Sequence, residues 1–520
     1  MLVSLLPCLA LSLAAAQTAV FMDSPADSAA ACPAHFTQWT SEPHAPYSPG
    51  PLRLPTMRPP AHCRTFASPL IDQLIADVSG QITDPDIRQL FSNTMPSTLD
   101  TAVAWHTANS SAGDAPYPYT FVITGDINAQ WTRDSTNQLL PLLPYVAAEH
   151  GLQALVAGLV NMQAEQMSAY PFANAYKPPR RSRLTPGENS WAKSDRVVPA
   201  FDAAKVYEAK FEIDSIAAFF KLSAAYWRQT GSAEMLDLSV WRAAVGSCLK
   251  LLARLQMPTY GAEGRLGDPV VRFARTAASA TETSFGNGRG NPVRYTGMVR
   301  SLFRPSDDAV ILPFLVPANA MLSVELVHLA DMLDALNITD AAHTDSLVAR
   351  RLAAEIRQGI LDHAVYSHPT YGSVYVYETD GYGSQLVMDD ANVPSLLSLP
   401  YLGFVPKDDP IYRNTRRLVL STDNPWFFNG SDISGIGSPH TGFHRVWPMS
   451  IAVAALTSDN KQEIVEAVGM LARTTAGLGL MHESVDMDDP TNFSRPWFAW
   501  CNGVVSELII ETVRRFPGAL

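Results

Sequence analysis

The sequence predicts a mostly α-helical fold, and three observations carry that prediction. Apolar residues recur at spacings of three and four through many long segments, the period of a helix with one buried face. Alternating strand patterns are few, and no glycine-rich phosphate loop follows a strand, which argues against dinucleotide-binding and P-loop folds. The 520 residues are 47% hydrophobic and 17% charged, enough for a large core and unlike disordered, collagenous or coiled-coil chains. The balance of 38 Lys and Arg against 50 Asp and Glu gives a net charge of −12. Such a surface repels phosphate backbones and anionic lipid, so nucleic acid is excluded as a partner, and a neutral, hydroxyl-rich ligand fits better.

Taken in chain order, residues 1–16 form an apolar run ending in three alanines before Gln17, the pattern of a signal peptide, although no Lys or Arg precedes the run. If the apolar stretch extends to Met22 it is barely long enough to span a bilayer, so an uncleaved signal anchor is the alternative. Either reading puts the body in a lumenal or extracellular space, with no stable membrane insertion once the segment is cleaved. Sequons at Asn109, Asn337, Asn429 and Asn492 suit that compartment. Residues 17–66, rich in Pro, Ser and Ala, read as an extended arm on the body formed by residues 67–520. Beyond Cys8, four cysteines allow three full pairings. Cys248 and Cys501 sit in apolar helical or aromatic sequence and are expected to be free and buried. Cys32 and Cys63 lie in the aperiodic arm, where a bridge supplies order that packing cannot, and are expected to pair.

Helical periodicity then marks segments near 68–79, 85–93, 136–168, 213–229, 239–256, 309–334, 344–362, 393–402, 447–456, 461–475 and 499–515. The best strand is 372–377. Between these segments the loops concentrate acids, aromatics and arginine, the expected setting of a site.

The stretch 123–135 places Asp126, Trp131, Arg133 and Asp134 before a helix, supplying donors, acceptors and an indole platform of the kind a pyranose ring needs. Asp134 or Ser135 would equally cap that helix. Residues 297–308, with Arg304, Asp307 and Asp308, and residues 388–394, with Asp389 and Asn392, repeat the theme of paired carboxylates at a helix entrance; Ser306 and Asp389 are plain caps in the structural alternative. None of the acidic pairs has the alternate spacing of a calcium loop, no HExxH or Cys/His cluster exists, and His440 with His444 is a weak zinc signal. Asp214 in Phe211-Glu-Ile-Asp-Ser215 precedes a strong helix and would cap it. Glu483 lies beside His482 and ahead of the Arg495-to-Trp500 aromatic cluster, where indole walls would raise a carboxylate's pKa and stack on sugars.

Together these loops resemble glycoside hydrolase family 125, the metal-independent exo-α-1,6-mannosidases, and in particular its fungal secretory-pathway members. The matching blocks are TGDINAQWTRDS at 124–135, VYEAKFEIDS at 206–215, SLFRPSDDA at 301–309, YETDGYG and MDDANVPSLLSLPYLG across 377–403, GIGSPHTG at 435–442, VWPMSIA at 446–452, and MHES with DPTNFSRPWFAW at 481–500. Tyr207, Ala209, Val485 and Cys501 depart from the common pattern, and none of them replaces a carboxylate.

The resemblance implies a single (α/α)6 barrel with its site in the loops at one end, no cofactor and no metal. It implies an inverting mechanism with Asp214 as acid and Glu483 as base, acting on a terminal α-1,6-linked mannose of an oligosaccharide or glycoprotein glycan. The enzyme would be secreted, or Golgi-lumenal if the N-terminal segment is retained. Asp126, Arg133, Asp134, Arg304, Asp307, Asp308, Asp389, Asn392, His440 and His482 would complete the pocket, with Trp131, Trp447 and Trp497 as ring platforms. The alternatives are a glycan-binding lectin that has lost catalysis, and a calcium-dependent α-mannosidase or α-glucoside hydrolase on a related barrel.

Overall fold

The computed structural model describes residues 31–33, 35–107, 116–336 and 340–520. Among these, twelve α-helices reach eight residues or more: α1 (Pro69–Ser79), α2 (Pro85–Thr94), α3 (Thr132–Leu139), α4 (His150–Ala169), α5 (Ile213–Thr230), α6 (Leu238–Leu255), α7 (Val316–Leu336), α8 (Asp340–His363), α9 (Pro410–Val419), α10 (Pro448–Leu456), α11 (Lys461–Arg473) and α12 (Ala499–Arg515). Helix α3 packs on α5, α5 on α7, α10 on α12 and α12 back on α3, which makes an inner ring. The mostly buried turns of 395–403 stand in for the sixth inner element, with Tyr401 bonded to Glu507 of α12 and lying under Lys221 of α5, and Gly403 against Val324 of α7. Helices α2, α4, α6, α8, α9 and α11 lie outside, so six inner and six outer elements make the expected (α/α)6 barrel, with one hydrophobic core running through both rings.

Capping chemistry differs between the layers. Four outer helices carry side-chain caps: Asp84 accepts the amides of Asp86 and Ile87 at the start of α2, Asp237 caps α6, Asp409 caps α9 and Asn460 caps α11, whereas outer helix α4 has none. The inner helices α3, α5, α10 and α12 have no side-chain cap. Their first amides, and the positive ends of their dipoles, are left for groups in the loops at one end of the barrel.

Three expected helices differ. The 136–168 pattern splits, because Pro141 and Pro144 withdraw backbone donors and turn 140–148 into 3-10 helix between α3 and α4. Helix α7 begins at Val316 instead of residue 309, since Phe314–Leu315 pairs as a strand with Glu378–Thr379. Residues 393–402 form turns, interrupted by Pro394 and Pro400 and fixed by Asp389, whose carboxylate accepts the amides of Leu396 and Leu397 at 2.8 and 2.9 Å. The predicted strand is present as Gly372–Tyr375, paired antiparallel with Val365–His368.

The described part of the arm, from residue 31, is stapled by the Cys32–Cys63 disulfide and docked by buried polar contacts; Cys248 and Cys501 are buried and free. Asn93 accepts the amide of Met57 and donates to the carbonyls of Pro55 and Gly479, tying the arm to α2 and to the block before Glu483. Arg58 clasps Asp100 at 2.7 Å. Asn429 and Asn492 are exposed, whereas residues 1–16 and the sequons at Asn109 and Asn337 lie outside the described residues. No helix among the described residues is long and apolar enough to cross a membrane.

Candidate active site

The uncapped ends of the inner helices surround a cavity of about 450 Å³, within the range of roughly 300–1,000 Å³ usual for small-molecule sites. Short strands aim its loops. Gln130–Trp131, Ala175–Tyr176 and Val206–Glu208 form one three-stranded sheet that sets Trp131, Asn174 and the residues leading into α5 side by side. Arg445–Val446 pairs with Val485–Asp486, which holds the His440 loop against the Glu483 block. The cavity is deep at one end and open at the other. Arg133, Asp134, Trp447 and Trp500 are buried in its wall, whereas Trp191, Ala277, Ala278 and Ser279 are exposed at the mouth, Trp191 to 77%.

Arg133, at the second position of α3, organises the deep end. Its Nη1 lies 2.5 Å from Glu212 and 3.4 Å from Asp214, and its Nη2 lies 3.0 Å from Asp134 and 3.5 Å from Asp307. The guanidinium also lies over the Trp500 ring. Burial pushes Glu212 well above the usual carboxylate range and Asp214 up to about 6, with Arg133 opposing both. Asp307 goes the other way: burial is outweighed by Arg133, a hydrogen bond from Glu212, Lys210 and His440, which hold it below the usual range. Asp307 also has φ of +67°, in the left-handed region that a non-glycine residue enters at a cost of about 1–2 kcal/mol. The strained turn is held from beneath, where Lys210 Nζ donates to the Asp307 carbonyl at 2.8 Å and the Asp307 amide donates to the Arg304 carbonyl at 2.9 Å.

Glu483 reaches the cavity from the loop before α12. Its Oε2 accepts from Ser494 Oγ at 2.9 Å, and Arg495 Nε lies 3.5 Å from its Oε1. Arg495 also lies 3.5 Å from Asp126. His440 is pushed up to about 9: burial opposes its charge, but Asp308, Glu483 and Asp307 more than offset it, so it is a cation at neutral pH. Several polar atoms of this region are buried without a hydrogen-bond partner, among them Trp131 Nε1 and Arg133 Nε, a reserve of donors for a hydroxyl-rich ligand.

Of the residues singled out in the sequence, Trp131, Arg133, Asp134, Asp307, Asn392, His440, Trp447 and Glu483 line the cavity. The others support it from behind. Asp214 is wholly buried on the first turn of α5, 3.4 Å from Arg133 Nη1, and is not in the wall. Arg304 turns away to Glu378 at 2.6 Å and lies over Tyr377, anchoring the 304–308 turn. Asp308 faces His440 at 3.7 Å. Asp389 caps the sixth inner element and is pushed up to about 8 by burial, its backbone donors opposing the shift. His482 stacks on Phe493 and its Nδ1 bonds the Arg495 carbonyl at 2.7 Å, which positions Arg495. Trp497 packs with Met57, Leu480 and Ala499, and a side chain at Gly125 (φ +126°) would strike its ring at 2.9 Å. Asp126 acts through Arg495.

Sequence reasoning missed Glu212, Lys210 and Trp191, and named Arg495 and Trp500 only as part of the cluster beside Glu483, without a role. All but Trp191 lie inside blocks that had been singled out, but nothing in those blocks says which neighbour faces the cavity. Asp390 was also missed; it accepts from Ser306 and Ser438 at 3.2 and 3.0 Å and ties three of the site loops together. Tyr207, one of the departures, lines the cavity with its ring 5.5 Å from that of Trp131.

A helical barrel whose inner helices point their bare N-termini at a pocket of carboxylates and indoles is the architecture of a glycoside hydrolase. The chain belongs to glycoside hydrolase family 125, the metal-independent α-mannosidases, whose model matches residues 84–510. The meiotically up-regulated gene 157 protein of Schizosaccharomyces pombe is 48% identical over 493 residues, covering 94% of each chain. The solved structure of a Streptococcus pneumoniae metal-independent α-mannosidase, in a non-productive substrate complex with α-1,6-mannobiose, matches with a TM-score of 0.77 at 32% identity, covering 86% of this chain and 99% of that one.

Proposed function

We propose that this α-mannosidase is an inverting, metal-independent exo-enzyme that removes a terminal α-1,6-linked mannose from an oligosaccharide or glycoprotein glycan, with Asp307 as acid and Glu483 as base. The observation that carries the reading is the cavity itself, closed around Arg133 and Asp134 and open past Trp191, with Asp307 and Glu483 both in its wall. A closed end accepts only a chain terminus. Asp307 takes the role first given to Asp214 because a general acid must reach the glycosidic oxygen, and Asp214 is wholly buried outside the cavity wall. Asp307 protonates the leaving oxygen as the bond to the anomeric carbon breaks, while Glu483 takes a proton from the water that attacks the opposite face. Arg133, Asp134, Asn392 and His440 hold ring hydroxyls. The α-1,6 linkage is that of the disaccharide bound by the Streptococcus relative. A lumenal location is supported by the arm disulfide and the exposed sequons at Asn429 and Asn492.

Proton NMR of hydrolysis, across α-1,2-, α-1,3- and α-1,6-mannobiose with and without chelator, tests the reading. β-Mannose should appear first, from the α-1,6 substrate, and chelation should change nothing. α-Mannose first rejects inversion, calcium-restored activity favours a metal-dependent enzyme, and binding without turnover favours a lectin.

At the mouth, Trp191 offers an exposed indole face to the leaving sugar. Aromatic stacking of about 0.5–1.5 kcal/mol predicts that Trp191→Ala raises KM for mannobiose roughly two- to tenfold. KM for an aryl mannoside with a small leaving group should move less, and equal shifts for the two would remove Trp191 from the leaving-sugar subsite.

A further inference from the structure

Four carboxylates share one buried guanidinium at the deep end of the cavity, and the nearest other cations do not complete the balance. Lys210 Nζ spends its bonds on Glu282 at 3.1 Å and on the Asp307 carbonyl, while His440 is matched by Asp308 and Arg495 by Asp126 and Glu483. Burying that much negative charge requires that the cluster keep a proton. The geometry says where. Asn174 Oδ1 accepts the Lys210 amide at 3.1 Å, which fixes the orientation of its side chain. Its Nδ2 then donates to Glu212 Oε1 at 3.1 Å and lies 3.4 Å from Asp307 Oδ1, so the two carboxyl groups converge on one amide, and both also reach the Arg133 guanidinium. Glu212 is fully enclosed and Asp307 faces the cavity.

We propose that Glu212 is a positioning residue that stores the proton Asp307 delivers, the two carboxyl groups forming a one-proton pair with only the Asp307 end open to substrate. The inference rests on the assignment of Asp307 as acid, and it explains how an acid facing Arg133, Lys210 and His440 is charged with a proton at neutral pH. At rest the Glu212 O–H donates to the Asp307 carboxylate. On cleavage the proton crosses to Asp307 and from there to the glycosidic oxygen, whose bond to the anomeric carbon breaks. Glu212 is left as a carboxylate against Arg133 and Asn174, and the proton of the attacking water ends on Glu483. Release of that proton to solvent and uptake of one by the pair restore the start. The charged groups facing the pair are Arg133 and Asp134 from α3, Asp214 from α5, Lys210, His440 from its loop, and Arg495 from the loop before α12.

Glu212→Gln keeps the shape and a donor but cannot pass a proton. With the Glu212 carboxyl gone and Arg133, Lys210 and His440 still beside it, Asp307 should lose its proton at lower pH. The alkaline limb of kcat/KM for α-1,6-mannobiose should then move acidward by a unit or more, about a tenfold loss at pH 7.5, while a dinitrophenyl mannoside, which needs no acid, keeps its rate. An unmoved limb in a folded Glu212→Gln protein overturns the store. If that variant does not fold, infrared spectra of the wild-type enzyme with side-chain-labelled glutamate decide. A protonated glutamate carboxyl at pH 7 supports the store and its absence overturns it. Asp307→Asn separates the two claims: retained mannobiose hydrolysis sinks the acid assignment, whereas loss of mannobiose but not dinitrophenyl activity, with an unmoved limb in Glu212→Gln, sinks the store alone.

Discussion

Glu483→Gln should lower turnover of every substrate by about 10²–10⁴, or about 3–5.5 kcal/mol of transition-state stabilisation, because the attacking water no longer has a base. The loss should be as large for a dinitrophenyl mannoside as for mannobiose, since a better leaving group does nothing for the nucleophile. KM should move little, as the amide still accepts from Ser494. Asp307→Asn should separate the same two substrates, losing mannobiose and sparing the activated glycoside. Asp214→Asn is the control that discriminates between the carboxylates. Buried against Arg133, Asp214 should not give the leaving-group-selective pattern, and if it does the acid role returns to it. A Glu483→Gln enzyme with near-wild-type rates would reduce that residue to a partner of Arg495.

How much of this was legible beforehand follows from which distances the sequence controls. Helix α5 was read almost to the residue because its apolar residues recur at helical spacing through an 18-residue segment, and that period survives any tertiary context. Residues 393–402 carry the same apolar density but became turns, because Asp389, several residues upstream, takes two of their amides. A hydrogen bond of that kind leaves no mark on hydrophobic periodicity. The site blocks were legible as clusters, and eight of the residues chosen from them line one cavity. What the blocks could not show is direction. Glu212 and Asp214 stand two apart at a helix start and both reach Arg133, while Asp307 and Asp308 are adjacent yet only Asp307 is in the cavity wall, Asp308 lying behind it against His440. The left-handed backbone at Asp307 produces that divergence, and only the fold around it, through Lys210 and Arg304, holds the residue in such a conformation.

Arg133→Met should destabilise the protein by about 3–5 kcal/mol, because it removes the cation from a buried cluster and leaves its carboxylates behind. Arg133 is 3% exposed and its guanidinium lies within 3.5 Å of Glu212, Asp134, Asp214 and Asp307, so water cannot take its place without opening the wall. The size of the loss depends on pH in a direction that can be worked out. Burial already raises Glu212 and Asp214 above their ordinary range, and Arg133 is what opposes the rise. Without it, the folded pKa values climb further above the unfolded values near 4, so the folded variant binds more protons than its unfolded chain. A group raised in this way contributes its stability fully below the unfolded value and loses it as pH rises through the folded one. The deficit of Arg133→Met against wild type should therefore be smallest near pH 4.5 and largest above about pH 7, as urea unfolding of both proteins at the two pH values would show. Arg133→Lys should fall between them, restoring charge without the two-pronged geometry that reaches four acids at once. A deficit that does not change with pH would mean that packing against Trp500, and not charge, is what Arg133 supplies.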